Sequence, residues 1–382
     1  MTSLDTIYLD HAATSGLRRP VLDAMMPHLT EHFGNPSSVY ASGREARHTL
    51  EQCRARIAQL IGAGPAEVFF TSGGSESNNT AIRSASRKGA PFLTSGAEHE
   101  AVLEPVRKLD VGAVQDPDKS GCISPSMLDA DSIRGGALSL MLVNNELGSI
   151  NPIRELADFC HKNDALIHTD AVQAARVLDL TQIVPAVDYL SLSGHKIGGP
   201  KGIGLLYVRA GAPFVPLILG GGQEQDRRAG TENVASIVGF ATALEYAVDQ
   251  RAIFVEHCRS LRSAVIDGLV AELGVLVEVN SPSDNSAPHI VNLLLLDDEG
   301  NGLDGEMLLL GLDIEGVFVS AGSACSSGTV KTSHVLKAIG IAEQKAKGAI
   351  RISFGPGTTV AEVNEAVRRI VLVSKRMRTG QI

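Results

Sequence analysis

Cysteine is scarce in this sequence and never closely paired. Five residues are spread over 382 positions, at 53, 122, 160, 258 and 325. That excludes a disulfide framework and leaves no CxxC metal spacing. No apolar run reaches the length that crosses a bilayer, and the opening MTSLDTIYLDHAATSG carries no cationic apolar signal, so a cytoplasmic protein without a membrane partner is expected. Positive charge is in deficit: the net charge is −9, which argues against life on nucleic acid. Internal repeats, low-complexity tracts and long linkers are missing, and so is the GxxxxGK[ST] spacing of a nucleotide loop. What is present, 44% hydrophobic and 20% charged residues with 39 glycines, is the composition of a globular α/β enzyme. The length suffices for two or three domains and a sizeable core.

Strand-like runs alternate with amphipathic helices through the first two thirds of the chain. EVFFTSGGSESNN reads as strand, glycine turn and helix; ALSLMLVNNE, ALIHTDAVQ and VDYLSLSG read as strands ending near Asn145, Asp170 and Gly194. NPIRELADFCHKND starts a helix with Asn151 as its cap and Pro152 at the first position. GIGLLYVR follows its neighbour closely and is expected antiparallel at one side. This rhythm predicts a mostly parallel sheet covered on both faces. The pattern changes near Ala252, where a long helix to Leu273 opens a smaller α+β domain. The expected division is residues 15–251 for a large cofactor-binding domain, and 1–14 with 252–382 for the small one.

Ligands of open α/β sheets sit beyond the carboxyl ends of the parallel strands. There the sequence places Ser72 to Ser75, Asn145, Asp170 with Gln173, and Ser193, His195 and Lys196. Each alone has an ordinary reading, because strand ends meet water. Together they supply a glycine-rich anion cradle, a carboxylate, amides, an imidazole and an amine, which is what pyridoxal phosphate needs. A desolvated lysine holds an aldehyde as a Schiff base. A buried carboxylate keeps a pyridine nitrogen protonated, and N–H groups at a helix start hold a phosphate. Cys53, Cys160 and Cys258 fall at core offsets of amphipathic segments, and Cys122 follows a turn signal. Cys325, in VFVSAGSACSSGTVKTSHVL, has Gly, Ser and Thr around it and no period, so it is read as a loop cysteine.

The stretches YLDHAAT, FGNPSS, FTSGGSESNN, AEHEAV, VNNELG, HTDAVQ, SLSGHKIGGPKGIG, GGGQEQDRRAGTEN, SAGSACSSG and AIRISFG run nearly the whole length of the chain. In this order they resemble the cysteine desulfurases, fold-type I pyridoxal-phosphate enzymes that supply sulfur for iron–sulfur clusters and nitrogenase. The resemblance implies that Lys196 holds the cofactor and shuttles the substrate Cα proton. It implies that Asp170 pairs with the ring nitrogen, Gln173 bonds the ring hydroxyl and His99 stacks on the ring. Gly74, Ser75, Ser193 and His195 would hold the phosphate. Thr231 would reach the phosphate of a partner subunit, making a homodimer. Asn145 and Arg351, with Asn35 nearby, would grip the carboxylate of L-cysteine. Cys325 would take the sulfur as a persulfide, release L-alanine, and pass the sulfur to an acceptor or iron–sulfur scaffold protein. Many relatives have threonine where this chain has Ser75; the hydroxyl is kept. Without the resemblance, Arg351 reads as a strand-surface arginine and His99 as a helix-start histidine. A selenocysteine lyase or aminotransferase on the same fold is a second reading, and a non-catalytic sulfur carrier or scaffold a third.

Overall fold

A computed structural model describes residues 6–109, 112–321 and 332–380. Its strands are β1 (Ile7–Tyr8), β2 (Val68–Thr71), β3 (Phe92–Ser95), β4 (Ala113–Gln115), β5 (Ala137–Ser139), β6 (Leu166–Asp170), β7 (Tyr189–Ser193), β8 (Gly204–Val208), β9 (Val277–Val279), β10 (Ile290–Leu295), β11 (Val317–Phe318) and β12 (Ala349–Ser353). Seven of them form one sheet in the order β2-β8-β7-β6-β5-β3-β4. Every pairing in it is parallel except those of β8, which runs antiparallel to both β7 and β2. The fold is therefore α/β with a mostly parallel central sheet. β2, β7 and β8 are buried at every position, the mark of strands covered on both faces.

Two local expectations need correction. GIGLLYVR is antiparallel but lies inside the sheet, between β7 and the edge strand β2. Asn151 does not cap the helix Ile153–Lys162, where Pro152 holds that position. The Asn151 side chain instead accepts from Ile123 N at 2.9 Å and donates to Met141 O at 2.8 Å, because burial demanded partners for its amide there. The ladder of β5 ends at Ser139, yet Leu140 N and Leu142 N still donate to His168 O and Asp170 O, which carries the chain out to Asn144.

A second sheet, β12-β10-β9, is antiparallel, and β1 pairs in parallel with β11. The helix Arg251–Leu273 packs on the helix Val360–Arg378, which starts with a capping box between Thr359 and Glu362. One apolar cluster runs through both sheets and these helices. Among the described residues, no helix is long and apolar enough to cross a membrane.

Candidate active site

The site lies where strands of the large sheet end together. Thr71 and Ser193 both pair with Gly204, so the ends of β2 and β7 stand abreast with one strand between them. The helix Gly74–Ala85 starts from this row, with its first N–H groups at the strand ends. A Cβ on Gly74 would meet Val172 Cγ2 at 2.8 Å and Ser193 Cβ at 3.6 Å, so only glycine lets the helix start this close to β7. Ser75 follows, exposed, and Ser193 is buried beside the turn.

Asp170 closes β6, 6% exposed. It accepts from Asn78 Nδ2 at 2.6 Å and from Val172 N at 2.9 Å, which fixes both carboxylate oxygens. Lys196 ends the short helical turn Gly194–Lys196 after β7. Its Nζ donates to Ala12 O and Ala13 O, each at 2.7 Å, and Gln173 Nε2 donates to Ala12 O at 2.9 Å. Burial pushes the Lys196 amine down to about 8; the charge of Arg351 adds to this, and Asp170 and Asp10 oppose it. His195 Nδ1 lies 3.1 Å from Thr14 Oγ1, and burial, then the charges of Lys196 and Lys201, hold its ring at about 4 and so neutral.

His99 precedes the helix Glu100–Leu109, and its Nδ1 accepts from Ala101 N at 3.0 Å, so the neutral ring carries its proton on Nε2. Solvent reaches the ring, while the protein around it lowers its pKa by desolvation, with Asp170 acting to raise it and Lys196 to lower it. Arg351, on β12, is 4% exposed. Its Nη2 donates to Asp10 Oδ1 at 2.7 Å and its Nη1 to Asn145 O at 3.0 Å. Arg351 Nε and Asn145 Oδ1 are buried without a hydrogen bond, as are Asn78 Oδ1 and Thr169 Oγ1. Asn35 and Thr231 are both exposed; Asn35 Oδ1 closes a local turn by accepting from Ser37 N. No hydrogen bond links either to the other candidates among the described residues.

Residues 322–331, and Cys325 with them, lie outside the described residues. Both flanks are tied to the site. Ser320 exchanges two backbone bonds with Arg351. Ser333 Oγ donates to Glu146 Oε2, and His334 Nε2 lies 2.8 Å from Glu98 O. Glu98 and Glu146 carry no signal of a role in the sequence, although they sit inside AEHEAV and VNNELG. Glu98 is fully buried, accepts from Met141 N at 2.6 Å, and is pushed well above the carboxylate range by burial. Burial also raises Glu146, against the bond from Ser333 and the charges of Arg351 and His334. Cys53, Cys160 and Cys258 are buried, and burial lifts their thiols to about 11, 12 and 12. Cys122 is half-buried, its pKa raised by burial, with Sγ donating to Ile150 O.

The residues present fit pyridoxal 5′-phosphate. An amine of lowered pKa, a buried carboxylate with fixed oxygens, a glycine cradle at a helix start and orphaned polar atoms match what that group needs. No group of His, Cys, Asp and Glu among the described residues could hold a metal ion.

The aminotransferase class-V profile matches residues 7–365. Cysteine desulfurase IscS of Dictyoglomus turgidum is 42% identical, over 98% of this chain and 95% of its own length. A solved NifS-like protein superposes with a TM-score of 0.87 at 32% identity, covering 96% of this chain and 99% of its own. SspA, solved in complex with cysteine, superposes at 0.78 and 33% identity, over 93% of this chain and all of its own. Matched over nearly its whole length by that profile and by these relatives, the chain belongs to the class-V aminotransferase family, in its cysteine desulfurase branch.

Proposed function

We propose that this chain converts L-cysteine to L-alanine and moves the sulfur, through a persulfide on Cys325, to an iron–sulfur scaffold or another acceptor protein. The observation that carries this reading is the anchoring of both flanks of the Cys325 segment to the site that holds Lys196. Ser320 is bonded to Arg351, Ser333 to Glu146 and His334 to Glu98. A plain aminotransferase has no use for a cysteine between those two anchored flanks.

Enzymes of this family depend on pyridoxal 5′-phosphate, which when bound supplies the electron sink that weakens the substrate's Cα–H and Cβ–S bonds. The other roles belong to the chain. Lys196, neutral in a useful fraction near pH 8, holds the cofactor aldehyde and carries the Cα proton. Asp170 holds a proton on the pyridine nitrogen, and Gln173 keeps one amide N–H for the ring hydroxyl. The N–H groups of Gly74 and Ser75, with Ser193 and His195, hold the phosphate; His195, being neutral, does so as a hydrogen-bond donor. His99 covers the ring. Arg351, oriented by Asp10, grips the substrate carboxylate with Asn145 and Asn35. Cys325 attacks as the thiolate, so cysteine and an enzyme thiol become alanine and an enzyme persulfide.

The active unit in this reading is a homodimer, with Thr231 of one subunit on the phosphate of the other. Phe33, Val39 and Leu219 are 80%, 86% and 81% exposed, which leaves apolar surface for a second subunit to cover. The division into residues 15–251, and 1–14 with 252–382, assigns the cofactor to the first part and Cys325 to the second. A cytoplasmic setting suits a chain whose described cysteines are all free.

The test is to give the yellow protein L-cysteine and reductant and to measure alanine and sulfide. Equal amounts of the two are expected. Cys325→Ser should keep the colour and bind L-cysteine but release no sulfide, and mass spectrometry without reductant should find the extra sulfur on the Cys325 peptide. Alanine without sulfide, or the extra sulfur on Cys122, would overturn the assignment.

A further inference from the structure

The turn Gln223–Asp226 lies eight to five residues before Thr231, and it has a backbone that ordinary residues avoid. Glu224, Gln225 and Asp226 have φ of 46°, 58° and 65°, three consecutive left-handed positions without a glycine among them. Such a conformation persists only where its surroundings over-determine it, and it then marks a place whose geometry is needed.

The surroundings here are specific. Glu224 is 4% exposed, and its carboxylate receives both arms of the Arg54 fork, at 2.8 Å each. Glu224 Oε2 also accepts from Phe70 N at 2.9 Å, and Arg54 Nη1 donates to Val68 O at 2.8 Å. Val68 and Phe70 belong to β2, the edge strand of the large sheet. The pair thus closes an open sheet edge and locks the turn to it. Further along, Arg227 stacks over the rings of Phe69 and Phe214, at 4.4 and 5.0 Å. Gly230 N donates to Gln223 Oε1 at 3.0 Å. Arg228 pairs with Glu76 in the first turn of the helix Gly74–Ala85, Nε to Oε1 at 3.0 Å. All of this restraint ends at Thr231, which is exposed. Within one chain, no hydrogen bond among the described residues uses that exposed hydroxyl.

We propose that Glu224 and Arg54 are positioning residues for the partner subunit's cofactor site: they hold the left-handed turn that aims Thr231 across the interface. This rests on the reading of Thr231 as a phosphate ligand in trans. The two residues touch neither substrate nor cofactor, and their effect is felt in the other chain.

The experiment compares two heterodimers of the full chain, each purified through a different tag on each subunit and loaded with pyridoxal 5′-phosphate. Both contain Lys196→Ala and Glu224→Gln. In one, the two substitutions share a chain; in the other, they are on opposite chains. Only a chain with Lys196 gives the yellow absorbance, so the colour reports one site in each case. When the substitutions share a chain, the coloured site is wild-type but receives its Thr231 from the altered turn. Loss of colour after dilution should then be roughly tenfold faster than in the opposite arrangement, the size expected for one charge-assisted contact. A merely structural role would speed both heterodimers equally, since their composition is the same. Equal rates, or the faster loss in the opposite arrangement, would overturn the proposal. Should Glu224→Gln fail to fold, Arg54→Lys keeps the charge, removes the fork and gives the same comparison. Thr231→Ala in the same two arrangements separates the layers. If it shows no effect in trans, the dimer reading itself fails; if it does and Glu224→Gln does not, only this inference fails.

Discussion

Lys196 shows how the surroundings of one residue set its chemistry. Its amine lies between two backbone carbonyls and is lowered to about 8 mainly by burial, with Arg351 next. A neutral amine is what captures an aldehyde, so capture of pyridoxal 5′-phosphate by the apoprotein should rise with pH and level off above about 8. Removing the Arg351 charge removes an influence that favours the neutral amine. In Arg351→Met the Lys196 pKa therefore rises, and the midpoint of the rate profile should move to higher pH. Stopped-flow absorbance across a pH series measures this; an unmoved midpoint would mean that burial alone tunes the lysine. Lys196 and Asp170 were legible in the sequence because an ionisable residue at the end of an apolar strand needs a reason. Glu98 and Glu146 were not, because a carboxyl in AEHEAV or VNNELG looks like any surface carboxyl until packing buries it.

For an element, the helix Gly74–Ala85 is the informative case. Glycine is a poor helix former, and replacing it by alanine within a helix gains about 1 kcal/mol in propensity. Here the new Cβ would meet Val172 Cγ2 at 2.8 Å, and such overpacking costs about 1–3 kcal/mol. The two effects nearly offset each other in stability, but the second pushes the helix start away from Ser193. Gly74→Ala should therefore melt within a few degrees of the parent and bind pyridoxal 5′-phosphate roughly tenfold more weakly, as expected for one or two displaced phosphate contacts. Equilibrium dialysis alongside a thermal melt separates the two quantities, and unchanged affinity would remove Gly74 from the cradle. The same close approach explains why the glycine turn could be read from SGGSES while its partner Val172 could not: the contact joins residues nearly a hundred positions apart.

At the scale of the whole molecule, buried histidines carry part of its acid sensitivity. His168 sits between β5 and β7, with Nδ1 2.8 Å from Ser139 Oγ and Nε2 3.0 Å from Ser191 Oγ, and burial holds it at about 3. His289 is also held at about 3, by burial first and then by the charges of Arg176, His11 and Arg351. Their folded pKa values lie below the unfolded value of 6.5, so the unfolded chain binds more protons between these limits. Their contribution to stability is complete above about 6.5 and is lost as the pH falls toward 3. The melting temperature should drop across that interval, and calorimetry in buffers of different ionisation enthalpy should record proton uptake on unfolding. His289→Asn should reduce that uptake at pH 5.5; an uptake equal to the parent's would exclude His289 as a source.

By itself the sequence determined the class of sheet and the cofactor chemistry, and it put Ser75, Asp170 and Lys196 at strand ends, because period, turn residues and strand-end side chains are local signals. It placed β8 antiparallel beside β7 but could not tell that β2 lies beyond it, since strand order depends on how crossovers pack rather than on the strands. Only the tertiary structure decided that Ala12 and Ala13 supply the carbonyls for Lys196, that Asp10 holds Arg351, and that Arg54 and Glu224 lock a left-handed turn. Those contacts join segments far apart in the chain, and no local pattern of residues encodes the desolvation that makes each of them strong.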